Sequence, residues 1–187
     1  MLKKLFISKV RIKVLRHYFS HFNEGFHVRG LVRILEEEIN AVRRELLNLK
    51  DSGILQSEKQ GNKVVYRIDD TCPILPDLRS LLFKTSDIGK QVIAISKKVD
   101  GVTHAILTSR YINKNKDIDV DILFIGKINL NNLSSEMKRY EKESKNEIRY
   151  GALTNRDFEF GKKNLDPFLI KILDNDNVIL VGSNNRL

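Results

Sequence analysis

Residues 31–68, LVRILEEEINAVRRELLNLKDSGILQSEKQGNKVVYRI, decide how the rest of the chain is read. Ile39, Val42, Leu46 and Leu49 recur at intervals of three, four and three, the spacing of one apolar helical stripe, which predicts a helix from Ile39 to Ser52. Gly53 stands where a left-handed C-terminal cap is wanted. The pattern then changes to short alternating segments around Lys59-Gln60-Gly61-Asn62, a turn-rich tip that predicts a β-hairpin. A shorter helix, Val28 to Leu35, precedes the first, so the order is helix, turn, helix, hairpin. Further upstream, Ile7, Val10, Val14, Leu15, Tyr18 and Phe19 mark an amphipathic helix from Leu5 to Phe22 with Ser8 able to cap it. Asn23-Glu24-Gly25 then turns the chain into a short strand, Phe26-His27-Val28, expected to pair with the hairpin.

The run RILEEEINAVRRELLNLKDSGILQSEKQGNKVVYRI resembles, without a gap, the winged helix-turn-helix of prokaryotic repressors of the arsenical-resistance class, most closely at INAVRREL, SGIL and GNKVVYRI. The resemblance implies a head that binds double-stranded DNA, its last helix lying in the major groove and its hairpin, the wing, reaching a neighbouring backbone or minor groove. Carried over residue by residue, Asn40, Arg43 and Arg44 become the groove-facing side chains, and Lys59, Asn62 and Lys63 the wing contacts. The residue types suit that task, since Asn can pair bidentately with adenine and Arg with guanine or a phosphate. In similar families the first helix helps to build a homodimer, whose two heads read a pseudo-palindromic site. Glu36, Glu37 and Glu38 stand where the groove-facing helix begins, a favourable place for acids at a helix N-terminus.

At 187 residues the chain can hold one large domain or two small ones, and an apolar content of 41% permits real cores. The net charge of +9 is shared by both halves, 15 basic against 10 acidic side chains through Leu82 and therefore 18 of 33 against 14 of 24 beyond it. Such a balance favours polyanionic partners. No apolar run is long enough to span a bilayer, and Met1-Leu2-Lys3-Lys4 leads straight into patterned sequence, so a soluble, cytoplasmic protein without a membrane partner is expected. One cysteine, Cys72, excludes an internal disulfide and a cysteine-based metal site. His17 and His21 are one helical turn apart but lack further ligands at metal spacing, and packing is the preferred reading.

Past Asp69-Asp70-Thr71-Cys72-Pro73 and Pro76, a helical period returns from Leu75 to Lys97, with a break near Ser86-Asp87. Strand-like runs follow at Val102–Leu107, Ile118–Ile125, Glu147–Leu153 and Val178–Gly182, interleaved with helices at Leu133–Lys145 and from Asp166 to about Leu173, an α/β layout. Within it, THAILTSRYINKNKDIDVDILFIG is similar to the small nucleotidyltransferase fold, whose hallmark is a Gly-Ser turn followed on the next strand by Asp-x-Asp. That resemblance implies Ser109 in the turn that holds a triphosphate, and Asp119 with Asp121 as a pair of magnesium ligands. Glu147 becomes the candidate catalytic carboxylate. Thr108 stands where the family has its first glycine and Asn113 where it has a later small residue, so Mg2+ and a nucleoside triphosphate are cofactors only of an active version of the domain.

The resulting expectation is an α+β chain: residues 1–72 a winged helix DNA-binding domain, 73–98 a connecting helix, and 99–187 a degenerate nucleotidyltransferase-like domain. Its expected role is a homodimeric, DNA-binding transcriptional regulator whose second domain serves sensing, dimerisation or partner binding. The alternatives are a metal-dependent transferase moving a nucleoside monophosphate onto a protein or small molecule, and an antitoxin-like protein that binds a separate chain.

Overall fold

The computed structural model describes residues 8–182, a mixed α+β chain with two small sheets. It divides into two compact units, the boundary falling between Leu82 and Phe83.

The first unit contains α1 (Lys9–Ser20), β1 (Phe26–His27), α2 (Val28–Leu35), α3 (Ile39–Asp51), β2 (Leu55–Gln60), β3 (Lys63–Ile68) and most of α4 (Leu75–Lys84). Ser8 accepts a hydrogen bond from the Arg11 amide and so caps α1. Leu5, Phe6 and Ile7, assigned to the same helix from the sequence, lie outside the described residues; at its other end the helix stops at Ser20, two residues before Phe22. The apolar stripe of α3 behaves as its spacing requires: Val42, Leu46 and Leu49 are buried, packed in the same unit as Leu15, Tyr18 and Phe19 of α1 and Leu31 of α2. Gly53 has φ +71° with no atom near a would-be Cβ, so its backbone angle alone is what calls for glycine. The strands form an antiparallel sheet in the order β1-β3-β2, with Phe26 opposite Tyr66 and Gln60 opposite Lys63 at the hairpin tip. The Tyr18 hydroxyl donates to the Tyr66 carbonyl at 3.0 Å, fastening α1 to the middle strand.

The helical run expected as one connector over residues 73–98 is two helices, α4 and α5 (Asp87–Lys98). Just past α4 the Ser86 amide donates to the Phe83 carbonyl, and the Ser86 hydroxyl accepts from the Gly89 amide, capping α5 where the sequence suggested a break. This second helix belongs to the core of the second unit rather than to a linker.

That unit continues with β4 (Val102–Leu107), α6 (Ser109–Asn113), β5 (Ile122–Gly126), α7 (Leu130–Ser144), β6 (Tyr150–Leu153), α8 (Asn155–Lys163), α9 (Pro167–Leu173) and β7 (Val178–Val181). Its sheet runs β6-β5-β4-β7; β4 is antiparallel to both β5 and β7, while β5 and β6 are parallel and joined through α7. From Ala105 onward in β4, and along β5, side chains alternate between the two faces. Ala105, Leu107, Ile122 and Phe124 enter one core with Ile88, Val92 and Ile95 of α5 and Leu133 and Met137 of α7. Ile106, Leu123 and Ile125 enter the other, with Phe158 of α8 and Leu169 and Ile172 of α9. Helices thus cover both faces, which is why the strands read as continuous apolar runs.

Two strand assignments need correction. The run from Ile118 becomes strand only at Ile122, because residues 118–121 wrap past the end of β4: the Thr108 amide donates to the Asp121 carbonyl and the Thr108 hydroxyl to the Val120 carbonyl. Asp119 and Asp121 therefore lie on irregular backbone, where spacing of two no longer fixes a shared face. The segment from Glu147 likewise becomes strand only at Tyr150, opposite Ile122, leaving Glu147 in the loop before it.

Candidate functional site

Along α3 the side opposite the core carries Asn40, Arg43, Arg44, Leu47 and Asn48, all exposed, at the three-and-four spacing of a single face. Arg43 and Arg44 make no ion pair among the described residues, whereas the neighbouring cations Arg11, Lys13 and Arg67 are each engaged with a glutamate. The acids beside the face are employed elsewhere. Glu37 pairs with Lys13 of α1 at 2.6 Å, and Lys13 also donates to the Leu35 carbonyl at 3.2 Å. Glu38 caps α3, its carboxylate accepting the Asn40 amide at 2.7 Å. Glu36 takes the left-handed conformation that ends α2.

Glu45, one residue past Arg44, turns the other way and is only 5% exposed. Its carboxylate accepts from Arg11 Nε at 2.7 Å. Burial pushes the Glu45 carboxyl up, but hydrogen bonds from Ser8 and Arg11, the Arg11 charge and a hydrogen bond from Asn48 outweigh it, holding the group below the usual carboxylate range. The back of α3 is thereby clamped to α1 while its front is left to solvent.

Between α3, the start of α2 and the hairpin runs a groove of about 540 Å³. Arg29 of α2, Arg43 of α3 and Lys63 of β3 line it over a floor that includes Ile39, Leu47 and Val64, and among the described residues no carboxylate lines it. Leu47 and Val64 are each 44% exposed, so the groove is cationic with apolar ground. The structure thus brings Arg43, Asn62 and Lys63 together in one groove, with Asn40 and Arg44 on the adjoining helix face. Lys59 is exposed and pairs across the hairpin with Val64. Arg29 and His27 also line the groove and were not expected from the sequence. Their signal was the junction of strand and helix: His27 ends β1 opposite Val65 of β3, and Arg29 follows in the first turn of α2.

In the second unit the predicted site residues do not converge as Asp-x-Asp chemistry requires. Thr108 and Ser109 are fully buried; Thr108 is held by the loop ahead of β5, and the Ser109 hydroxyl accepts from the Asn115 amide group at 3.3 Å. Ser109 is therefore closed off from a triphosphate rather than presented to one. Asn113 reaches away to Asp176 at 3.1 Å. Asp119 is exposed, whereas Asp121 is tucked in, one oxygen accepting the Arg149 amide at 2.9 Å and the other lying 3.9 Å from Arg110 Nε. Among the described residues no three His, Cys, Asp or Glu side chains gather as a metal site. The magnesium pair implied by the sequence resemblance does not fit residues so arranged.

What the second unit does possess is an open cleft of about 320 Å³ lined by Asp121, Glu147, Arg110, Lys114, Asn115, Lys116 and Arg149. Arg110 donates to the Ile118 carbonyl at 2.9 Å and Lys114 sits 5.1 Å over the Tyr111 ring, so two of its four cations are positioned by the fold.

The His17 and His21 rings lie tilted against each other at 4.3 Å between centroids, with Phe26 edge-on to His17 at 4.6 Å, a packed aromatic cluster rather than a metal pair. Among the described residues no helix is long and apolar enough to cross a membrane. Compared with known proteins, the chain matches no family model, no curated protein and no solved structure.

Proposed function

We propose that the first unit is a winged helix-turn-helix that binds duplex DNA, with α3 in the major groove and the β2–β3 hairpin as its wing, and that the chain is a homodimeric transcriptional regulator. The observation that carries this reading is the unneutralised cationic surface: Arg43 and Arg44 on the open face of α3, continued by Arg29 and Lys63 across a groove that no carboxylate lines among the described residues. Coulomb attraction to phosphates needs cations that are not already spent on internal acids, and this surface supplies them. Asn40, at the N-terminal end of α3, has the donor and acceptor pair that can read adenine, and Arg44 beside it the fork that can clasp a phosphate. Leu47 offers an apolar surface of the kind that packs on a thymine methyl group.

The second unit, in this reading, is a nucleotidyltransferase-like domain without a transferase's metal site. Monophosphate transfer is the less favoured alternative, because Asp121 is occupied by Arg110 and the Arg149 amide and Ser109 is buried.

The test is retention of genomic DNA fragments by the purified chain, followed by gel shifts on the recovered sequence. Arg43→Ala and Arg44→Ala are each expected to weaken the recovered complex by about 1–3 kcal/mol, roughly 5- to 150-fold. Retention of no fragment above background, or two neutral substitutions, refutes the assignment.

A further inference from the structure

The cleft beside β5 and β6 has a charge balance of its own. Arg110, Lys114, Lys116 and Arg149 set four positive charges against the two of Asp121 and Glu147, leaving two in excess. Within that set Asp121 is already satisfied, by Arg110 on one oxygen and by a backbone amide on the other. Arg149 and Lys116, by contrast, are exposed and make no ion pair among the described residues. A site with spare cations and a neutralised acid selects an anion, not a metal ion. A phosphomonoester carries about −1.5 to −2 charges at neutral pH, which complements the excess. The volume of about 320 Å³ lies at the small end for ligand pockets and gives room for a molecule of mononucleotide size.

We infer that this cleft binds a small phosphomonoester directly on Arg110, Lys114, Lys116 and Arg149, without a divalent metal, as a ligand site separate from the surface of the first unit. Asp121 acts there as a positioning residue. It holds Arg110 and the loop bearing Arg149 in place, and because it is itself negative it weakens the anion it helps to frame. The proposal stands apart from the DNA reading, since none of its residues belongs to the first unit and its measurement contains no DNA.

The experiment is isothermal titration of the full chain with adenosine monophosphate, and separately with inorganic phosphate, each in EDTA and in excess magnesium. Saturable binding in EDTA, unchanged by magnesium, is expected. Adenosine monophosphate binding more tightly than phosphate assigns the site to a phosphorylated small molecule, and equal affinities assign it to free phosphate, the shared chemistry being upheld in both cases. Arg149→Ala should weaken binding about tenfold, the cost of one charged hydrogen bond in a solvated cleft, with Lys116→Ala as the second variant if the first does not fold. Asp121→Asn, which keeps an acceptor for the Arg149 amide and releases Arg110, should bind equally or more tightly. Binding that requires magnesium, binding abolished by Asp121→Asn in a chain that melts normally, or no saturable binding of either ligand at millimolar concentration overturns the proposal.

Discussion

Salt offers the sharpest test of the cationic surface. Five side chains stand free to meet phosphates on one head: Arg29, Arg43 and Lys63 in the groove, Arg44 on the same helix face as Arg43, and Lys59 on the hairpin. Each phosphate neutralised releases counterions, giving a slope of about −0.9 per contact in log affinity against log salt, so five contacts per head imply a slope of about −4.5. Between about 50 and 200 mM salt this amounts to a loss of roughly 500-fold per head, and more for a dimer using both. The measurement is fluorescence anisotropy of a labelled duplex recovered by retention, titrated at four or five salt concentrations. Lys63→Ala, which removes one phosphate contact and no base contact, should make the slope shallower by about 1 and weaken all sequences alike. A base-reading side chain behaves otherwise; Asn40→Ala should leave the slope intact while lowering the preference for the recovered site. A slope near zero, or one that Lys63→Ala and Arg29→Ala both leave unchanged, would refute the placement of phosphates along this groove.

Other outcomes follow from the scaffold. Gly53→Ala places a β-carbon at φ +71° with no clash to blame, so it should cost about 1 kcal/mol through backbone strain alone, read as a fall in the denaturant midpoint, and Gly53→Asn should cost less. Glu45→Ala strands Arg11 and opens space beneath α3; for a buried pair the loss is about 3–5 kcal/mol, and less here because Arg11 is a third exposed, whereas Glu45→Gln should recover part of it by keeping an acceptor. Urea melts of the two variants that coincide would show that the acceptor offered to Arg11 contributes nothing. The pH profile should have two steps. Burial, with the nearby His21 charge adding to it and Glu24 opposing, lowers the affinity of His17 for a proton, so the unfolded chain binds that proton first and stability falls as pH drops below about 6.5. Glu45, whose folded carboxyl is the more acidic, keeps its full contribution above the ordinary glutamate range and surrenders it only as pH falls further, through the folded value. His17→Asn should remove the upper step in thermal melts and leave the lower.

In the first unit the elements were legible because their signals are local. The 39-42-46-49 stripe, the glycine after it and the Gly61-Asn62 tip each act within a few residues, and α2 and α3 begin where the sequence put them. The second unit was harder where tertiary contacts override alternation. Ile118 and Val120 alternate with aspartates as strand residues do, yet Ile118 is buried against Ile106 and Leu123 from a loop, since the end of β4 takes up the polar backbone of residues 120 and 121. The helix α8 went unread altogether: of NRDFEFGKK only Phe158 and Gly161 are buried, too few for a stripe. Its signal was polar. Thr154 accepts the Asp157 amide and donates to the Asp157 carboxylate, a capping pair visible in the sequence as Thr-x-x-Asp. As for the candidate sites, the residue types on α3 were readable, but which glutamates would be consumed internally was not, because Lys13 lies 24 positions before Glu37 in the chain.

The turn between α2 and α3 has a thermodynamic corollary. With Glu37 held by Lys13 and Glu38 folded back onto the Asn40 amide, the approach to α3 retains few loose torsions. A partner arriving at that face therefore freezes little beyond the tips of the arginines and the hairpin lysines, and the heat-capacity change on docking should report only the surface dried at contact, with none of the excess that accompanies coupled folding.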